Sequence, residues 1–333
     1  MPQIVIEILW FVLGLVLLVK GGDWFVDAAT GIAHRFNMPE ILIGATVVSI
    51  GTTIPEVMVS STAAFTGSSA IAYGNAIGSI ICNTALISAI TMTFKPDIVD
   101  KKAIRTPVLF FFGSAIFYSI VAYTTGYFSR AVGITLLVVF VIYIYLSVKK
   151  AKAAAQTESV PTPESTEESK DSEPAKNDSM LKNIIFLILG AALIAFGADF
   201  LVEHGTNLAT IIGIPQSVIA LTFVALGTSL PELVTAITAL VKGHSDLSLG
   251  NVIGANLFNL ILVSGTAATI GPFRIPVEKQ LFGMNASLVV DVPLMLAVSL
   301  IMCVPAMVKG KLYRAQGIAL LAIYFTYIIF QFI

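Results

Sequence analysis

Long apolar runs, separated by a few polar, glycine or proline positions, set the rhythm of this chain. They lie at 4–33, 40–66, 70–93, 104–124 and 130–148, and again at 182–208, 215–241, 246–270, 280–307 and 312–333. About 20 apolar residues carry a helix across the hydrocarbon of a bilayer, so the pattern predicts ten membrane-spanning helices in two sets of five. Between the sets, residues 151–180 hold seven acids and three bases among Ser, Thr and Pro. Such a composition cannot bury enough apolar surface to fold. The expected organisation is a first five-helix unit over 1–150, a disordered linker over 151–180 and a second five-helix unit over 181–333.

Composition sharpens the class. Of the 333 residues 56% are hydrophobic and 12% charged, with a mean hydropathy of +0.91. Soluble domains carry about 25% charged residues, so a soluble α/β enzyme is excluded. A net charge of −1 leaves no footprint for nucleic acid. The chain reads as an all-α polytopic membrane protein. No basic region precedes the first apolar run, which therefore reads as a retained helix and not a cleaved signal. Cys82 and Cys303 sit inside apolar runs, too few for a disulfide framework.

Lys and Arg set the expected orientation. With the N-terminus outside, fifteen of them fall in inside loops, whereas only Arg130, Arg274 and Lys279 fall outside. The expectation is a multi-pass protein of the cell membrane with its N-terminus outside and its linker in the cytoplasm.

The sequence also repeats. GATVVSIGTTIPE at 44–56 matches ALTFVALGTSLPE at 220–232, and GNAIGSIICN at 74–83 matches GNVIGANLFN at 250–259, both at an offset of 176. Asp23 with Asp199, Asp27 with Glu203 and Pro39 with Pro215 keep the same offset. With five spans per unit, the second copy enters the membrane upside down. Inverted repeats of this kind are typical of secondary transporters.

Glu56 and Glu232 are repeat-related and lie in the middle of apolar runs. A carboxylate there costs at least a few kcal/mol unless it faces a partner or a wet cavity. On a helix, Thr52 and Thr53 share the face of Glu56, as Thr228 and Ser229 share that of Glu232. Pro55 and Pro231 lack an N–H and crowd the carbonyl four residues back, and Gly51 and Gly227 loosen the same turn. The expectation is irregular backbone at membrane depth, which is tolerated where it lines a cavity or is buried in protein. Asn83 and Asn259 follow their glutamates by 27 residues, and Ser79 shares the face of Asn83. Two carboxylates with carbonyl, hydroxyl and amide oxygens suit Ca²⁺, which takes six to eight oxygens. With no His or Cys in the motifs other than Cys82, zinc, copper and iron fit poorly.

The doubled G-T-(T/S)-x-P-E and G-N-x-I-G-(S/A)-x-x-x-N motifs resemble the alpha repeats of the calcium/cation antiporter family, most of all its prokaryotic sodium/calcium exchanger branch. The repeats of the proton/calcium branch, of the G-N-A-x-E type, are absent at these positions. The resemblance covers nearly the whole chain apart from the linker. It implies a four-helix core of the second, third, seventh and eighth helices around the ions, and long, tilted first and sixth helices that slide past it. It further implies that Glu56 and Glu232 bind both Ca²⁺ and Na⁺ and that the carbonyls of Thr52 and Thr228 add Ca²⁺ ligands. Sodium ligands would be the hydroxyls of Thr52, Thr53, Thr228 and Ser229 with the carbonyls of Ser49 and Ala225. Ser79 and Asn83 complete the implied set.

Two positions depart from the family pattern. Asn259 stands where many relatives carry Asp, an acid tied to potassium co-transport in one animal branch, so the neutral amide argues against a potassium requirement. Ala255 stands where the family usually has a Ser that helps one sodium site, which opens the sodium stoichiometry. The linker is also too short for the folded calcium sensors of the animal exchangers, although its acids leave a weak sensing role as an alternative.

The resulting expectation is a secondary active Na⁺/Ca²⁺ antiporter, with H⁺/Ca²⁺ exchange as the alternative. It is not an enzyme, it needs no cofactor beyond its transported ions, and one chain holds both halves of the site. A passive channel and an aspartyl intramembrane protease fit less well, since such a protease uses paired Asp. Asp23, Asp27, Asp199 and Glu203 read as helix-end charges or as cation-attracting residues on the access routes. Asp291 reads as a local helix break or cap. His34, His204 and His244 lie near segment ends without ligand spacing.

Overall fold

A computed structural model describes residues 3–36, 38–96, 98–157, 179–213, 225–277 and 279–332. The first five passes are α1 (Gln3–Arg35), α2 (Glu40–Phe65), α3 (Ser69–Phe94), α4 (Lys101–Thr124) and α5 (Arg130–Thr157). Then come α6 (Met180–Ile211), α7 (Leu230–Val241), α8 (Ser245–Ile270), α9 (Ser287–Lys309) and α10 (Arg314–Phe332). Eight of these, all but α7 and α10, are helices of at least 18 residues apolar enough to cross a membrane. The expected seventh run, 215–241, is described only from Ala225 onward, so the opening of the 220–232 motif lies outside the described residues.

Two boundaries differ from expectation. The helix of α5 continues through 151–157, seven residues into the expected linker. Ala and Lys there favour helix, and the run only loses that preference at the Ser- and Pro-rich stretch. The remaining linker, 158–178, lies outside the described residues. The ninth run begins not as helix at 280 but as a hairpin, in which Gln280–Leu281 (β3) pairs with Met284–Asn285 (β4). Phe282 and Gly283 turn it with φ of 52° and 75°.

The repeat seen in sequence recurs as paired contacts. Gly14 lies against the Gly197 carbonyl and Gly21 against that of Gly190, so close that an added Cβ would meet the oxygen at 3.0 and 2.9 Å. An offset of 176 exchanges these two contacts. The same exchange relates the edge-to-face pairs Trp10–Phe200 (5.4 Å) and Trp24–Phe186 (5.2 Å). Small residues let helix backbones meet in a membrane, where dispersion and not water drives packing. Glycines at both ends of the contact thus bind α1 and α6 into one antiparallel pair. The short extended segments pair in the same crossed order, although the offset of 176 relates only 98 and 274. Ile98 after α3 bridges Lys311 before α10, while Phe273–Arg274 (β2) after α8 pairs with Tyr127–Phe128 (β1) before α5.

The interior belongs to α2, α3 and α8. Their apolar windows are 61, 67 and 89% buried, against 22% for α1, α5 and α6. The first group lines the centre, and the second presents apolar side chains to lipid.

Candidate cation site

Glu56 comes from α2 and Glu232 from α7, and both are fully buried. The two carboxyl groups are close enough to repel each other directly. The Thr52 hydroxyl faces Glu232. The Ser229 hydroxyl lies 3.5 Å from that of Ser79 on α3. The fold therefore gathers residues of α2, α3 and α7 around one point, and α8 closes on α2 through Asn251. The carbonyl and Oδ1 of Asn251 accept from the Ser49 hydroxyl at 2.9 and 3.4 Å.

Local helix geometry displays the donors. Asn83 begins a turn of π-helix over Asn83–Ser88, and Asn259 begins one over Asn259–Val263. Widened turns of this type are frequent at functional sites, and here they fall at repeat-related positions. A third widened turn, Gly44–Val48, precedes the Glu56 motif. The two glutamate motifs themselves differ. The chain is broken at Thr228 and Ser229, between a helical turn Ala225–Gly227 and α7, as the Gly and Pro predict. In α2, by contrast, the helix runs without interruption through Gly51 and Pro55. The expected irregular backbone is thus present in the second half, and in the first it moves upstream to Gly44–Val48. Proline removes only one hydrogen bond, and packing on both sides can hold the helix through it.

The polar balance is the most telling feature. Thr53 Oγ1, both oxygens of Glu56, both polar atoms of Asn83, both oxygens of Glu232 and Asn259 Oδ1 are buried and form no hydrogen bond among the described residues. Asn259 uses only its amide nitrogen, on the Ala255 carbonyl at 3.0 Å. A buried unpaired carboxylate costs several kcal/mol, and two of them near one another cost more. A cation removes both penalties at once. The donors are hard oxygens, apart from Cys82, whose thiol is engaged by the Tyr324 hydroxyl at 3.7 Å. That set fits Ca²⁺ or Na⁺ and not a thiophilic metal. Of the nine residues singled out in sequence, Glu56, Glu232, Thr52, Thr53, Ser79, Asn83, Ser229 and Asn259 are buried, and Thr228 is half-buried.

Two apolar crevices of about 460 and 490 Å³ lie beside α2 where α6 approaches, and share Val47, Ile50 and Leu187. Their walls are almost wholly apolar, so they suit lipid and not an ion.

Several other charges find partners that sequence did not reveal. Lys242, at the end of α7, reaches Asp27 at 2.7 Å and Asp23 at 3.4 Å on α1, so these two acids tie α1 to α7. His204 and Asn207 bond Glu7 at 2.7 and 3.1 Å, and His244 bonds Glu40 at 2.9 Å. Asp291 closes the π turn Ser287–Asp291 that opens α9 and makes no capping hydrogen bond. Its carboxylate accepts from Tyr327 at 3.2 Å and Gln331 at 3.4 Å. It tethers to α10 beside a widened turn, where a local helix break or cap was expected.

Polar residues that sequence reasoning passed over also line this region. Asn75 donates to the Glu56 carbonyl at 3.2 Å and to the Ser60 hydroxyl at 2.8 Å, and Asn256 donates to the Thr84 hydroxyl at 2.7 Å. Asn75 and Asn251 obey the offset of 176 and could have been found by it. Asn256 and Thr84 could not, because their repeat mates are Ile80 and Leu260.

A helical fold closed around buried, unpaired oxygens defines a multi-pass membrane transporter. Comparison with known proteins makes the family definite. The profile of the sodium/calcium exchanger protein family matches residues 6–149 and 182–333. The chain is 33% identical over 97% of its length to 97% of an uncharacterized membrane protein of Methanocaldococcus jannaschii. It is 29% identical, over 99% of both chains, to the sodium/calcium exchanger MaX1 of Methanosarcina acetivorans. The sodium-calcium exchanger NCX_Mj, in a structure soaked with 2.5 mM Na⁺ and 10 mM Sr²⁺, superposes with a TM-score of 0.78 at 31% identity, covering 98% of this chain and 99% of that one. This chain belongs to the sodium/calcium exchanger protein family.

Proposed function

We propose that the protein exchanges Na⁺ for Ca²⁺ across the cell membrane by alternating access, with the ions held at mid-membrane by Glu56 and Glu232. The observation that carries this reading is the pair of buried, repeat-related carboxylates whose four oxygens find no partner among the described residues. Ca²⁺ and Na⁺ compete for the same two carboxylates, so neither can travel with the other. That exclusion makes the carrier an antiporter. Thr52, Thr53, Ser79, Asn83, Thr228, Ser229 and Asn259 complete the proposed ion site. The N-terminus lies outside and the linker in the cytoplasm, in accord with the distribution of Lys and Arg. One chain holds both halves of the site and functions as a monomer.

The experiment is uptake of radioactive Ca²⁺ into liposomes holding the purified protein, driven in turn by an outward Na⁺ gradient and by a pH gradient. Uptake driven by Na⁺ alone supports the proposal. Uptake driven only by the pH gradient assigns H⁺/Ca²⁺ exchange, with the glutamates carrying protons.

A further inference from the structure

Asn251 belongs to the second G-N-x-I-G motif, yet the cation site as read above gives it no task. We propose that Asn251 is a positioning residue for Thr52: it takes the Thr52 hydroxyl proton, so that the hydroxyl turns a lone pair toward the cation. The inference rests on the reading of Glu56 and Glu232 as the cation-holding pair.

A hydroxyl has one proton and two lone pairs, and it ligates a cation only when the proton points elsewhere. Thr52 has two acceptors within hydrogen-bond distance among the described residues, the Ser49 carbonyl at 3.4 Å and Asn251 Oδ1 at 3.3 Å. A proton on Glu232 would stand between hydroxyl and ion and would occupy a carboxylate lone pair. Once a cation takes the Glu232 oxygens, Asn251 Oδ1 is a side-chain acceptor from which the hydroxyl still faces the ion. Asn251 is fully buried, its main chain is packed tightly on both sides, and its Nδ2 has no partner among the described residues. On one side of it Gly250 lies against the Ile41 main chain, and on the other Gly254 leaves the space that the Ser49 hydroxyl fills. Its amide oxygen is therefore preorganised, and the orientation of Thr52 costs no rearrangement of α8 when the ion arrives.

The repeat mate behaves differently, and the sequence explains why. Asn75 turns to its neighbour α2, where it bonds the Glu56 carbonyl and Ser60. The positions that would make the equivalent contacts in the other half are Ala225 in place of Ser49 and Ala236 in place of Ser60. Serines in the first copy thus draw both asparagines onto α2. The orientation of Thr52 is a device of one half, without a matching arrangement built from those two alanines.

The test is a double-mutant cycle in liposomes between Asn251→Leu, which keeps volume but removes the acceptor, and Thr52→Val. The half-saturating concentrations of Ca²⁺ and Na⁺ are read beside the maximal rate and the melting temperature. Each single variant is expected to raise the half-saturating concentrations roughly two- to tenfold, the scale of one buried hydrogen bond, with the maximal rate less affected. The double variant is expected to be no worse than the worse single one, because Asn251 acts through Thr52. Unchanged half-saturation in Asn251→Leu, or effects that multiply in the double variant, would overturn the proposal. If Asn251→Leu fails to fold, Asn251→Ala is read instead. It too removes the acceptor and loses only a donor that has no partner among the described residues, so weakening of two- to tenfold supports the proposal and unchanged half-saturation overturns it. Wild-type uptake that ignores a Na⁺ gradient would instead strike the functional reading itself.

Discussion

Replacing Glu56 or Glu232 by Gln separates ion binding from folding. The amide keeps the shape of the side chain and removes one of two full charges facing the ion. Removing one partner of a buried ion pair, here a carboxylate facing the cation, costs about 3–5 kcal/mol. At 1.4 kcal/mol per tenfold, Ca²⁺ binding should weaken by roughly two to three and a half orders of magnitude, and uptake should fall close to background. The effect on the ion-free protein has the opposite sign. Both carboxylates are fully buried, repel each other and find no hydrogen bond among the described residues. A neutral amide removes that repulsion and the burial of a charge, so melting in chelator should be unchanged or raised. Wild type should gain thermal stability with added Ca²⁺, since a ligand that binds only the folded state stabilises it, and the Gln variants should lose that gain. A folded Gln variant that retains near-normal uptake, or whose melting temperature rises with Ca²⁺ as much as that of wild type, would refute the assignment.

Exchange should need no potassium, because Asn259 is neutral. With the membrane potential clamped, replacing K⁺ by choline should leave uptake unchanged. Gly21→Leu should destabilise the α1–α6 pair by about 1–3 kcal/mol through overpacking, since even a Cβ there meets the Gly190 carbonyl at 2.9 Å. Gly74→Leu makes a useful control in thermal unfolding, because a Cβ at Gly74 meets nothing within 4 Å among the described residues. Replacing 158–178 with a Gly/Ser segment should preserve exchange, because loop length changes closure entropy by only about 0.6 kcal/mol per doubling. Loss of transport at normal expression, or loss of its dependence on cytoplasmic Ca²⁺, would make the acidic linker a sensor.

Much of this protein was legible in the order of its residues. Apolar runs of about 20 residues marked the helices, since a single helix satisfies its whole backbone in lipid, whereas strands do so only in a closed barrel. The offset of 176 paired Glu56 with Glu232 and Asn83 with Asn259, because a repeated fold repeats its buried polar positions. Tertiary structure alone decided how the halves differ. Two sequences with the same Gly and Pro signals gave a broken chain at Thr228–Ser229 and a continuous helix through Gly51 and Pro55. A lost hydrogen bond shows as a break only where neighbouring helices leave room for one. Likewise Lys242 and Asp27, or Glu7 and His204, are some 200 residues apart in sequence. No local pattern encodes such pairs. They exist because glycines let α1 meet α6 backbone to backbone and because α7 ends beside α1, and those are facts of packing.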